Sequence, residues 1–279
     1  MIAPRRTGRA EIDRGVYRVP VDVVLVHSPL VGPGTWGPVA AELGRRGRLV
    51  AVPVLGPDAL PDWRPWVGEV CGVVRAMPGK VIVAGHSGGG ILLPLVATEA
   101  RGEVGCLLFV DSDVPCRDGV TPVVPEGFRK TLSGLAGEDG MLPPWPAWWA
   151  DDVMRDLIPD DQGRAAIAAE AQALPLAYFD ERIPSPAGWD QVPCGYLQLS
   201  EAYVEAAAEA RGRGWPVESI DGAQHMHPVV APGEVAEAML RLSALAARHD
   251  AVADAHGAAG EDVRPQSSPV DEWPQDPRP

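Results

Sequence analysis

Apolar runs of strand length recur along this chain, each followed by a segment whose apolar residues fall three or four positions apart. The runs lie at 21–26, 49–55, 81–84, 104–110, 196–200 and 215–220. Strands that are apolar at nearly every position are buried on both faces. Between them, helical periodicity predicts helices over 35–46, 64–77, 91–98 and 201–213. A last helix carries Val235, Met239, Leu242 and Leu245 on one side. In the second helix Trp66, Val70, Val73 and Val74 share a face, and Pro78-Gly79 stops it. Strand and helix in alternation predict an α/β protein: a mostly parallel β-sheet flanked by helices on both faces.

The alternation lapses over 112–190. Residues 122–186 are rich in proline and tryptophan, with the cluster Pro143-Pro144-Trp145-Pro146-Ala147-Trp148-Trp149, and one helix is predicted over 162–173. The ends differ again. Residues 1–20 hold several arginines and little apolar pattern, which predicts a flexible arm with one short strand near 16–19. Residues 249–279 combine Asp250, Asp254, Glu261, Asp262, Asp271, Glu272 and Asp276 with prolines and few apolar residues, the composition of a disordered acidic tail. The expected layout is core at 21–111, insertion at 112–190, and core again at 191–248.

A chain of 279 residues suits one sizeable domain with an insertion better than two equal domains. Its net charge of −14 repels nucleic acid and anionic membrane surfaces, so neither is an expected partner. Cys71, Cys106, Cys116 and Cys194 show no C-x-x-C or metal-ligand spacing, and Cys71 and Cys106 sit in apolar segments as core residues. The first twenty residues lack the apolar core of a signal peptide, and no apolar run reaches membrane-spanning length. The expected setting is the cytoplasm.

Candidate chemistry starts at the third apolar run. Val81-Ile82-Val83-Ala84 leads into Gly85-His86-Ser87-Gly88-Gly89, a G-x-S-x-G sequence, and then into the helical segment 91–98. Strand, glycine-flanked serine and helix in that order is the setting of a nucleophile elbow. A serine at the tip of so sharp a turn has a strained backbone, and its neighbours must lack side chains. Its oxygen then projects over the sheet edge, with the Gly88 N–H facing the same space. On these residues the chain resembles the α/β-hydrolase-fold superfamily, of the serine-nucleophile type, over roughly 21–248.

The resemblance implies a histidine base for Ser87, since a serine hydroxyl is a poor nucleophile until its proton is taken. Gly222-Ala223-Gln224-His225, followed seven residues later by Pro232, matches the superfamily's last motif and makes His225 the base in preference to His227. The acid departs from the pattern. The turn after the 196–200 strand reads Ser200-Glu201-Ala202-Tyr203, without an aspartate, so Glu201 and Glu205 are the only acids near it. Some members carry the acid one strand earlier, where this chain has Asp111, with Asp113 close behind. Asp111 is preferred, with Glu201 as the alternative, because a short carboxylate at a strand end is better placed than a glutamate opening an exposed helix.

The oxyanion loop departs too. One donor is expected from the Gly88 N–H. The other normally follows an H-G-x motif, here His27-Ser28-Pro29, and proline has no N–H to give. Either the Leu30 N–H or the Ser28 hydroxyl fills the role. A hydroxyl at that position resembles hydroxynitrile lyases of the same fold, in which it contacts substrate in a reaction other than ester hydrolysis. Losing one such donor costs acyl chemistry about a hundredfold or more. His27 and His86, beside Ser28 and Ser87, count as further oxyanion or substrate contacts.

In the resembling fold a cap is inserted where the alternation lapses. Trp145, Trp148 and Trp149 would then either line an apolar pocket or pack the helical lid onto the body. The sequence holds no phosphate loop, dinucleotide fingerprint or metal constellation, so no cofactor or metal is expected. The partner expected is a small-molecule substrate. Three functions are consistent with these residues. The first is a serine hydrolase acting on an ester, thioester or lactone of a small, fairly apolar molecule. The second is a non-hydrolytic lyase, cyclase or acyltransferase of small-molecule biosynthesis, and the third a catalytically silent ligand-binding protein.

Overall fold

The computed structural model describes residues 22–259, with side chains to 248. The apolar runs form β1 (Asp22–Val26), β2 (Val50–Ala51), β3 (Val81–His86) and β4 (Val104–Val110). The insertion holds the short strands β5 (Gly119–Pro122), β6 (Met141–Leu142), β7 (Leu174–Pro175) and β8 (Arg182–Ser185). The core resumes with β9 (Cys194–Gln198) and β10 (Val217–Ser219). Strands β10-β9-β4-β3-β1-β2, in that spatial order, make one sheet whose neighbours all pair parallel. β5 with β8 and β6 with β7 form two small antiparallel pairs.

Helices α1 (Gly37–Arg45), α2 (Arg64–Ala76) and α3 (Leu93–Glu99) precede the insertion. Within it lie α4 (Glu126–Ser133), α5 (Asp151–Leu157) and α6 (Asp161–Glu170). After it come α7 (Val204–Gly212), α8 (His227–Val230) and α9 (Pro232–Ala259). Side chains alternate across the sheet, so each central strand feeds two cores. Val81 and Val83 of β3 pack with Val67, Val70 and Val74 of α2 and Val96 of α3. Ile82 and Ala84 face the other way, against Val39 and Leu43 of α1 and Val235, Met239 and Leu242 of α9. Burial on both sides is what makes these strands apolar throughout.

Several boundaries differ from the sequence pattern. Only Val50–Ala51 pairs within the 49–55 run, because Pro53 cannot donate to a ladder and Val54 turns outward. Leu245 is exposed, and Ala246 takes the inner position on α9. The helix itself continues to Ala259, into the stretch expected as tail. The expected arm at 1–20 and residues 260–279 lie outside the described residues. The insertion is mixed rather than purely helical. No helix among the described residues is long and apolar enough to cross a membrane.

Candidate active site

The sheet order places β2 on one side of β1 and β3 on the other. In open parallel sheets such a reversal leaves a crevice at the carboxyl ends of the strands. Ser28 follows β1, Ser87 follows β3, Asp111 follows β4, Tyr203 follows β9 and His225 follows β10.

Ser87 has φ 51°, the left-handed conformation in which a non-glycine residue is strained. The neighbouring glycines permit it: a Cβ on Gly89 would stand 2.5 Å from the Val26 carbonyl oxygen. The Ser112 hydroxyl donates to the Ser87 carbonyl at 2.7 Å and fixes the turn from behind. The left-handed glycine Gly222, at φ 72°, turns the chain ahead of His225.

Asp111, also left-handed at φ 43°, is fully buried. Its Oδ1 accepts from the backbone N–H groups of Leu199 and Ser200 at 2.8 and 2.9 Å, and its Oδ2 from the Ser200 hydroxyl at 2.6 Å. Oδ2 also lies 2.8 Å from His225 Nδ1. Burial pushes the carboxyl up, but the hydrogen bond and charge of His225, with the bonds from Ser200, outweigh it and hold it below the usual range. A carboxylate only accepts, so the His225 proton sits on Nδ1 and Nε2 is left with a free lone pair. Glu201 stands exposed at the start of a short 3-10 turn, and no hydrogen bond joins its side chain to His225.

His225 has two ring neighbours. His86 is 4.6 Å away, centroid to centroid, and donates from Nε2 to the His225 carbonyl at 2.9 Å. Tyr203 stacks on His225 at 5.4 Å and 14°. The Tyr203 phenol faces Ser87, and that hydroxyl, as a hydrogen-bonding neighbour, opposes the rise that burial imposes on the phenol pKa. Among the described residues no hydrogen bond joins Ser87 to His225. Tyr203 went unrecognised in the sequence; the one available signal was an aromatic residue in the turn where the acid was sought.

His27 and His86 are not cavity contacts, which corrects the expectation. His27 is buried and ties two loops, donating from Nδ1 to the Ser28 carbonyl at 2.7 Å and accepting from the Leu55 N–H at Nε2 at 3.0 Å. Burial lowers its pKa to about 4. His86 packs edge-on to Trp36 behind His225, and burial, then the neighbouring His225, lower its pKa to about 3. Both rings are therefore neutral near pH 7.

The Ser28 hydroxyl accepts the Leu30 N–H at 3.3 Å, so the two expected donors are arranged in series. A Cβ on Gly88 would meet the Ser28 oxygen at 3.3 Å, which puts that hydroxyl against the elbow. With its oxygen engaged by Leu30, its own proton is free for a partner.

Ser28, Leu30, Ser87, Gly88 and Tyr203 line one side of a cavity of about 350 Å³. The insertion supplies the facing wall, with Val123, Phe128, Tyr178 and Phe179. Trp145, Trp148 and Trp149 do not line it. Trp145 packs with Met154, Ile158, Ile167 and Met226, Trp149 packs on Trp145, and Trp148 lies against Phe128 with its indole N–H on the Pro143 carbonyl. Trp145 thus joins the insertion to the body through Met226, while the named contacts of Trp148 and Trp149 lie within the insertion.

A family model described as "Alpha/beta hydrolase family" matches residues 23–238. Comparison with curated proteins finds no match. Among solved structures, the fold is similar to an extracellular α/β-hydrolase from a Paenibacillus species, described as sharing structural and functional homology with tobacco salicylic acid binding protein 2. That match has TM-score 0.65 and 19% identity over 80% of this chain and 99% of that one. Tomato methylketone synthase I, complexed with 2-tridecanone, matches at TM-score 0.63 and 15% identity, over 81% and 98% of the two chains. A pyrethroid hydrolase from Sphingobium faniae JZ-2 matches at 0.63 and 20%, over 80% and 96%. At these identities the likeness is one of fold.

Proposed function

The chain belongs to the alpha/beta hydrolase family, and on that footing we propose that it is a serine-dependent enzyme cleaving an ester, thioester or lactone of a small, fairly apolar molecule. The observation that carries this reading is the 2.8 Å contact between His225 Nδ1 and buried Asp111 Oδ2, beside the strained Ser87. Ser87 Oγ attacks the acyl carbon while His225 Nε2 takes its proton. Asp111 holds the ring and stabilises the imidazolium that forms. The Gly88 N–H and the Ser28 hydroxyl face the oxyanion, and Leu30 polarises Ser28 by donating to its oxygen. His225 then protonates the leaving group, and water repeats the sequence on the acyl-enzyme. Because His86 stays neutral, no second positive charge opposes the imidazolium. The insertion acts as the lid, and its apolar wall keeps bulk water from the acyl group.

A second reading has its own support. Pro29 removes the usual backbone donor, and a hydroxyl on Ser28 stands near the elbow instead. That arrangement favours a lyase, cyclase or acyltransferase using the same serine and histidine for proton transfer. Heavy-oxygen water separates the two. Turnover of p-nitrophenyl butyrate should place one label in the butyrate; acyl transfer to an added alcohol or amine, without label in free acid, would support the second reading instead.

A further inference from the structure

Asp113 is the one ionisable side chain, apart from the tyrosines Tyr178 and Tyr203, among the residues lining the Ser87 cavity. Its neighbour Ser112 is bonded to the Ser87 carbonyl, so its place at the cavity wall is fixed to the elbow. Among the described residues no lysine, arginine or histidine forms an ion pair with it, although Asp62, Asp161, Asp180 and Asp190 each have an arginine. Among the described residues its side chain also lacks a hydrogen-bond donor: the Ser112 hydroxyl reaches the Asp113 backbone carbonyl, not the carboxylate. The residue is exposed to water at the cavity wall, and partial desolvation there raises its pKa.

A carboxylate at the wall of this cavity, with no ion-pair partner among the described residues, is available to a cationic ligand. The surrounding wall has aromatic residues from both sides, Tyr203 from the core and Phe128, Tyr178 and Phe179 from the insertion. Aromatic faces attract cations and repel little of an apolar body. Tyr178 adds a buried hydroxyl without a protein partner. The protein as a whole, at net charge −14, attracts cations and repels anions.

We propose that this cavity takes a substrate carrying a protonated amine, with Asp113 as the counter-ion and the aromatic wall around the apolar part. The inference rests on the reading of the Ser87 cavity as the substrate site. It narrows that reading from apolar acyl compounds to amine-bearing ones. Asp113 is a specificity residue here and takes no part in bond making.

The test compares 2-phenylethylamine with 2-phenylethanol, which share a shape and differ in charge at pH 7.5. Titration calorimetry on the whole protein should show the amine binding about tenfold more tightly or better, the size expected for a charge-assisted contact. Asp113→Asn should bring the two within about twofold, while Asp113→Glu, which keeps the charge, should retain a preference. Thermal melts of each variant check that it is folded. Equal binding of amine and alcohol by wild type, no amine binding, or a preference that survives Asp113→Asn would overturn the inference. Hydrolysis of p-nitrophenyl butyrate is read separately. Hydrolysis without amine preference defeats only the ammonium assignment. Amine preference without covalent acyl chemistry defeats only the serine-hydrolase reading.

Discussion

Tyr203 lies flat on His225, with ring centroids 5.4 Å apart and planes 14° from parallel, while its phenol faces Ser87. One side chain thus touches both residues to which proton transfer is assigned. In this arrangement, among the described residues, no hydrogen bond joins the Ser87 hydroxyl to the imidazole. Turning toward His225 Nε2 is then part of the approach to reaction, as active-site hydrogen bonds often tighten only when substrate is bound.

Ring and hydroxyl should separate on mutation. Tyr203→Phe keeps the stack and removes only the phenol hydroxyl, so kcat/KM should stay within about threefold of wild type. Tyr203→Ala removes the support of the imidazole and should lower kcat/KM about tenfold or more, since small displacements of a catalytic group are costly. Steady-state kinetics on p-nitrophenyl butyrate distinguishes them; equal losses in both would show that the hydroxyl matters and the ring does not.

Asp111 and Glu201 separate more sharply. Asp111→Asn presents an amide to His225 Nδ1 and disfavours the tautomer with a free Nε2, so kcat should fall by about 10³–10⁴. Glu201→Gln should leave kcat unchanged, because Glu201 is exposed and no hydrogen bond joins it to His225. The reverse outcome would make Glu201 the acid.

Ser28 is tested by its hydroxyl alone. If it donates to the oxyanion, Ser28→Ala should reduce kcat by about 10²–10³ with little change in KM. A rise in KM at constant kcat would place the hydroxyl on the ground-state substrate instead.

The buried histidines predict acid sensitivity. In the unfolded chain a histidine takes up a proton near pH 6.5, whereas His27 and His86 resist it until about pH 4 and about pH 3. The unfolded state therefore binds more protons as pH falls from about 6.5, and stability drops by up to about 1.4 kcal/mol per pH unit for each ring. Asp111 adds to the loss only at lower pH, below about 3.9, as acid protonates it and its depressed folded-state value is approached. Urea midpoints should fall steadily between pH 7 and pH 5; a flat profile would contradict neutral, buried rings.

The sheet was legible because burial on both faces leaves long apolar runs, and the elbow because its glycines are forced by backbone contacts such as that of Gly89 with Val26. The left-handed turn at Gly222 likewise marked His225. Tyr203 was not legible, since its meaning comes from a ring on a different strand end. The tryptophans left two readings open for a related reason. Their size says they are buried, not which side they face, and Trp145 faces the junction with Met226 rather than the cavity. The cavity wall is built instead from Phe128, Tyr178 and Phe179, which form no motif. His86 follows the strand's alternation: it continues the side of Ile82 and Ala84 and meets Trp36 there, away from the cavity.

The proposed chemistry requires Ser87 to be an activated nucleophile. Intact mass after exposure to a fluorophosphonate tests it most directly. Wild type should gain a single adduct, Ser87→Ala should gain none, and His225→Ala should react far more slowly. No adduct on folded wild type, or an adduct that persists in Ser87→Ala, would contradict the account.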